Sequence, residues 1–207
     1  MQTGICHIVG AGEFTPRGLC VQPGDLLIAA DGGYAYLSQM GLFAHLLVGD
    51  FDSLGHVPAG VETIRHPVEK DDTDMGLAIR EGMARGYKKF RLYGGSGGRI
   101  DHFLANLQLL AAASSQGAQA VLVCPDYDVH AVTDGALAFP PAEKGTLFSV
   151  FCHGDAAEGV SLSGLQYSLN EACLSAFHPL GVSNAYTGQA VEVRVRRGTL
   201  IVLDYAV

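Results

Sequence analysis

The chain has 207 residues, 48% of them hydrophobic and 16% charged, with a mean hydropathy of +0.22; this suits one large or two small folded domains and excludes disorder. A net charge of -8 removes any general attraction to nucleic acid or an anionic membrane, so an anionic ligand would need a metal ion or a local basic patch. The acidity is uneven: residues 1–143 carry 9 Lys and Arg against 16 Asp and Glu, whereas residues 144–207 carry 4 against 5.

In chain order, the first apolar β-rich run covers residues 5–9. It ends in Gly10-Ala11-Gly12-Glu13-Phe14-Thr15, which opens like a dinucleotide-binding turn but has Thr15 where a third glycine or alanine belongs, and reads as a strand-end loop. Further strands are expected at residues 26–30, 45–48, 63–66, 89–93, 120–124 and 129–133, with helices at 33–40, 72–85 and 101–115. The last helix places Phe103, Leu104, Leu107, Leu110 and Ala111 on one face. Strands followed by helices predict parallel βαβ units, which bind ligands outside the carboxyl ends of their strands.

After Phe139-Pro140-Pro141-Ala142 the helical periodicity stops. Strand-like runs at 147–152, 159–162, 165–169, 190–195 and 200–203, with Gly198 at a turn, predict a small antiparallel β domain of sandwich or barrel type. The expected division is therefore 1–141, an α/β domain with a mostly parallel sheet flanked by helices, and 142–207, an all-β sandwich-like domain. Five widely spaced cysteines without a CxxC pair read as reduced core thiols. The segment Met1-Gln2-Thr3-Gly4-Ile5 lacks a basic stretch followed by an apolar one, and no run approaches a membrane span, so a cytoplasmic location is expected.

Three acidic motifs carry the chemistry: Gly49-Asp50-Phe51-Asp52-Ser53, Glu69-Lys70-Asp71-Asp72-Thr73-Asp74 and Gly97-Gly98-Arg99-Ile100-Asp101-His102. Asp50 and Asp52 follow a strand and would face one side of an extended turn, though an Asx turn would also use them. Helix capping accounts for one or two of the acids in 69–74, not for four, because clustered carboxylates resist ionisation unless a cation intervenes. The run Gly94-Gly95-Ser96-Gly97-Gly98-Arg99 lies between a strand and a helix, the setting in which backbone N–H groups cradle phosphate, and Arg99 adds a planar fork. It lacks the order and lysine of a P-loop. The same run satisfies GxSxG, with Ser96 as a rival hydrolase nucleophile, Asp126, Asp128 or Asp134 as orienter and His153 or His178 as base.

Taken together with Ala30-Asp31-Gly32-Gly33, Asn106, Gly164-Leu165-Gln166-Tyr167-Ser168-Leu169 and Gly181-Val182-Ser183-Asn184, these motifs strongly resemble the thiamine pyrophosphokinase (thiamine diphosphokinase) family, in the right order over nearly the whole chain. The resemblance implies an α/β ATP- and Mg²⁺-binding catalytic domain, a β-sandwich thiamine-binding and dimerisation domain, and a homodimer with sites between subunits. It implies Mg²⁺-dependent transfer of pyrophosphate from ATP to the thiamine hydroxyl, giving thiamine diphosphate and AMP. By motif, Asp71, Asp74 and Asp101 would be catalytic, and Asp50, Asp52, Asp71 and Asp74 would hold metal. Asp31, Asp50, Gly94, Gly95, Ser96, Gly97, Gly98 and Arg99 would bind nucleotide, and Asp101, Asn106, Ser183 and Asn184 would bind thiamine.

Two departures stand out: Phe43-Ala44-His45 replaces a Pro-Asp common in the family, and the chain has no Trp to stack on thiamine, leaving Tyr186 or Tyr167 as the aromatic platform. Alternatives are a pyrophosphokinase for another hydroxymethyl heterocycle such as a pterin, the Ser96 hydrolase, and a non-catalytic nucleotide-binding module. No nucleic-acid or membrane partner is expected.

Overall fold

The structure is a computed structural model that describes residues 2–49, 60–65 and 72–207. The chain divides into two compact units, Met1–Leu109 with Ala118–Pro125, and Leu110–Gly117 with Asp126–Val207.

In the first unit six strands pair in parallel in the order β4 (Glu62–Arg65), β3 (Leu46–Gly49), β2 (Leu26–Ala30), β1 (Cys6–Val9), β5 (Lys89–Tyr93) and β6 (Gln119–Val123). Every residue of β1, β2 and β3 is buried, so apart from His7, which bonds to Asp25 at 3.3 Å, these runs are apolar rather than alternating, as a sheet covered on both faces requires. Val9, Leu27, Ala29, Leu47 and Tyr93 form one face with Leu37 of α1 (Gly33–Gln39). The opposite face receives α2 (Asp74–Ala84), whose Gly82 comes so close that an added Cβ would stand 2.6 Å from the Phe90 ring and 2.9 Å from the Cys6 sulfur. Burial pushes the Cys6 thiol up to about 12, so it stays an inert core thiol. Cys6 and Cys124 are the buried cysteines; Cys20 and Cys173 are exposed, which corrects the expectation of core thiols throughout.

Thr73 caps α2, its hydroxyl accepting from the Gly76 N–H at 3.1 Å. The third helix, α3 (Ile100–Ser115), buries Asn106, Leu110 and Ala113, whereas Leu104, expected on the apolar face, is exposed. A polar side chain thus takes a core position on this helix, a first sign that Asn106 has a partner.

The second unit is antiparallel. Strand β13 (Arg197–Asp204) lies between β7 (Asp128–Thr133) and the first half of β9 (Leu147–Ser163); the second half of β9 pairs with β10 (Leu169–Ser175) and with β12 (Val191–Arg194), which continues to β8 (Ala136–Phe139). A further strand, β11 (Gly181–Ala185), joins the start of β9. Phe148 and Val150 from one half of β9 meet Val160 and Leu162 from the other half in one apolar core. The expected strands at 147–152 and 159–162 are therefore one strand that continues through the polar His153-Gly154-Asp155. Residues 165–169, expected as a strand, contribute only an isolated bridge from Leu165 to Tyr186 before β10 begins at Leu169. The second unit takes in residues from Asp126 onward because β7 and β8 find their partners in β13 and β12.

Candidate active site at the carboxyl edge of the parallel sheet

A cavity of about 620 Å³ opens beyond the carboxyl ends of β1, β2 and β5. Its walls come from the three turns that leave these strands and from the first turns of α2 and α3.

The glycine turn after β5 is its most determined part. Gly94 has φ +62° and an added Cβ there would stand 2.2 Å from the Gly10 carbonyl oxygen. The Gly10 N–H donates to the Tyr93 carbonyl at 2.8 Å, Gly12 to Gly94 at 2.8 Å and Glu13 to Ser96 at 2.7 Å, so two backbone segments lie against each other where side chains would not fit. Asn106 explains its burial here: its Nδ2 donates to the Gly95 carbonyl at 2.8 Å and ties α3 to the turn. Ser96 is 3% exposed, and its hydroxyl has no hydrogen-bond partner among the described residues. A nucleophile elbow needs that hydroxyl bonded to a base and open to substrate, so the hydrolase reading fails on this geometry.

The carboxylates approach from the other side. Asp31, just past β2, adopts φ +47°, a left-handed conformation uncommon outside glycine, while its N–H donates to the Val48 carbonyl at 2.9 Å. Asp74 stands in the first turn of α2, and one of its carboxylate oxygens is 3.4 Å from the place a Cβ on Gly49 would occupy; that place is 3.3 Å from the Asp31 Cα. Asp31 and Asp74 thus share one wall. Asp72 accepts from the Thr73 N–H at 2.8 Å and forms an ion pair with Arg80. Arg99, exposed at the rim, is paired with Asp101, donating from Nε at 3.1 Å and also through a terminal nitrogen. The guanidinium holds the Asp101 carboxyl at about 2, well below the usual carboxylate range, so in this pairing Asp101 is a charge and not a proton acceptor. An NMR titration of Asp101 is expected to show a midpoint near that value, moving towards about 4 in Arg99→Ala; a normal midpoint in the unmodified protein would contradict the pair.

Of the expected residues, Asp31, Asp74, Gly94, Gly95, Ser96, Gly97, Gly98, Arg99 and Asn106 line this one cavity, and Asp101 reaches it through Arg99. Asp50, Asp52 and Asp71 lie outside the described residues. Ser183 and Asn184 belong to the second unit. There Ser183 is exposed with φ +57°, whereas Asn184 is 3% exposed and spends its amide on the main chain of Tyr167, accepting from its N–H at 2.9 Å and donating to its carbonyl at 2.7 Å. Asn184 therefore shapes the 166–167 turn. Tyr186 cannot offer a platform: it is 1% exposed, and its hydroxyl donates to Asp204 at 2.9 Å. Tyr167 is 62% exposed on a clamped backbone. Sequence reasoning missed Gly10, Ala11, Gly12, Glu13, Asp72, Thr73 and Met75 as cavity residues, although a G-x-G leaving the first strand was the available signal for the first four; His102, which beside Asp101 reads as a candidate base or ligand, lines the cavity as well.

A glycine-walled cavity with carboxylates on one side and an arginine at its rim, set at the carboxyl edge of a parallel sheet, is the place where α/β proteins as a class bind their ligands. Comparison with known proteins specifies the family. Residues 19–122 match the model of the thiamin pyrophosphokinase catalytic domain, and residues 136–200 match that of the thiamin pyrophosphokinase vitamin B1 binding domain. The chain belongs to the thiamin pyrophosphokinase family, a family of enzymes. It is 24% identical over 184 residues to thiamine pyrophosphokinase of Bacillus subtilis, covering 86% of each chain. Among solved structures, the B. subtilis thiamine pyrophosphokinase superposes with a TM-score of 0.87 at 22% identity over 98% of this chain and 99% of that one. A thiamin pyrophosphokinase family protein of Enterococcus faecalis gives 0.81 at 27% identity over 98% and 99%. The Candida albicans thiamin pyrophosphokinase gives 0.76 at 13% over 97% and 90%, a likeness of fold.

Proposed function

We propose that this chain transfers the pyrophosphoryl group of ATP to the hydroxyl of thiamine, giving thiamine diphosphate and AMP, as a cytoplasmic homodimer. The observation that carries the reading is the cavity itself, in which the glycine turn and Arg99 face Asp31 and Asp74 across a space of about 620 Å³. The hydroxyl oxygen attacks the β-phosphorus, the bond from that phosphorus to the oxygen shared with the α-phosphate breaks, and AMP leaves with that oxygen. Main-chain N–H groups of residues 94–98 and the Arg99 fork bind the phosphates and keep the line of attack. Tyr167 supplies the face for a flat cationic heterocycle, and the vitamin B1 binding match over 136–200 favours thiamine over a pterin.

Magnesium suits the donors present. It takes oxygen ligands and keeps several waters, so one or two protein carboxylates suffice; Asp74 would be one, with Asp50, Asp52 and Asp71 as the other expected ligands. Among the described residues no group of three such side chains could hold a metal ion. When bound, the ion would neutralise charge developing on the phosphate oxygens.

The test is incubation with ATP, Mg²⁺ and thiamine, resolving AMP from ADP, on protein whose solution mass has been measured. AMP and thiamine diphosphate in equal amounts are expected, abolished by EDTA and restored by Mg²⁺. ADP as product, or undiminished turnover in EDTA, would refute the reading, and full activity at the mass of one chain would remove the dimer from it.

A further inference from the structure

Residues 10–13 lie outside both family matches, yet they make one wall of the cavity. Their last member, Glu13, is fixed to the phosphate turn by its main chain, pairing with Ser96 as an isolated antiparallel bridge. Its side chain lies across Gly97: a Cβ added there would stand 2.6 Å from the Glu13 Cβ and 3.0 Å from its Oε2. Gly97 is thus required by Glu13 as much as by its own φ of +74°. Among the described residues the Glu13 carboxylate has no hydrogen bond or ion pair. Arg99 is the one Arg or Lys among the described residues lining the cavity, and it is turned to Asp101.

An unneutralised carboxylate held over a turn built for phosphate weakens the binding of any polyanion, and weakens it more the higher the charge of that anion. Metal-free ATP carries more negative charge than its magnesium complex. Discrimination between two forms of one ligand by a like charge set against the unwanted one is a general device of specificity. We propose that Glu13 is a specificity-determining residue that makes the cavity reject metal-free nucleoside triphosphate in favour of the metal-complexed form. The proposal rests on the nucleotide reading given above.

Equilibrium dialysis of ATP against the full chain, in EDTA and in excess Mg²⁺, tests it without turnover. Glu13→Gln keeps the size that packs on Gly97 and removes the charge. It is expected to bind metal-free ATP at least about fivefold more tightly than the unmodified protein, and Mg²⁺-ATP within about twofold. Glu13→Asp, which keeps the charge, should behave like the unmodified protein, and so should Glu143→Gln, which removes a charge outside the cavity. Equal affinity for metal-free ATP in the unmodified protein and Glu13→Gln would overturn the proposal. So would an equal gain with and without Mg²⁺, or the same gain in Glu13→Asp or Glu143→Gln. Absence of ATP binding in every protein with Mg²⁺ present would overturn the nucleotide reading itself and this proposal with it.

Discussion

Asp74→Asn is expected to lower kcat/KM at least about a hundredfold while leaving the fold intact, the scale on which single charged groups act on transition states. The carboxylate stands in the first turn of α2, against the Gly49 backbone and on the wall it shares with Asp31. Asparagine keeps that shape and loses the charge a cation would need. Asp72, two residues earlier, is the comparison. Its carboxylate, although it too lines the cavity, serves the Thr73 N–H and Arg80, and that ion pair, open to solvent on its Arg80 side, is worth roughly 0–1 kcal/mol. Asp72→Asn can still accept from Thr73, so its kcat/KM should stay within about tenfold. Steady-state kinetics on the two variants, with circular dichroism to confirm folding, decides the matter, and equal damage from both would remove the special role of Asp74.

Gly94→Ala should be as severe for a different reason. The position combines φ +62° with a contact of 2.2 Å between an added Cβ and the Gly10 carbonyl oxygen, a backbone atom that cannot rotate away. The left-handed conformation alone costs an alanine about 1 kcal/mol, and relieving the clash means separating residues 10–13 from the glycine turn. Three main-chain hydrogen bonds hold those segments together, so the phosphate cradle opens. A fall in melting temperature of several degrees and a loss of ATP affinity beyond about tenfold are expected. Gly98→Ala provides the contrast: its φ is +60°, but nothing lies within 4 Å of an added Cβ, so it carries the conformational cost without the collision. If calorimetry and ATP binding fail to separate the two variants, the close approach at Gly94 has no functional weight.

How much of this was legible beforehand follows from the range of the forces involved. The parallel strands and the capped start of α2 could be read because burial and capping act over a few neighbouring residues. The period of α3 was read correctly at Leu110 and Ala111, but Leu104 is exposed and Asn106 is buried instead, because its partner is the Gly95 carbonyl on another element. In the second unit, Gly154 and its polar neighbours looked like a break. They are the exposed middle of β9, whose two halves are held by different strands.

By itself the sequence determined the acidic motifs, the glycine run with Arg99, and the local patterns that build a parallel unit and then an antiparallel one. These are matters of residue type and short spacing. Only the tertiary structure decided that residues 10–13 lie along the glycine turn, that Glu13 crosses Gly97, that Asn184 serves the Tyr167 backbone and that the Ser96 hydroxyl is buried with no partner among the described residues. Each of these depends on hydrogen bonds or steric contacts between segments far apart in the chain, and such contacts leave no period in the sequence from which to read them.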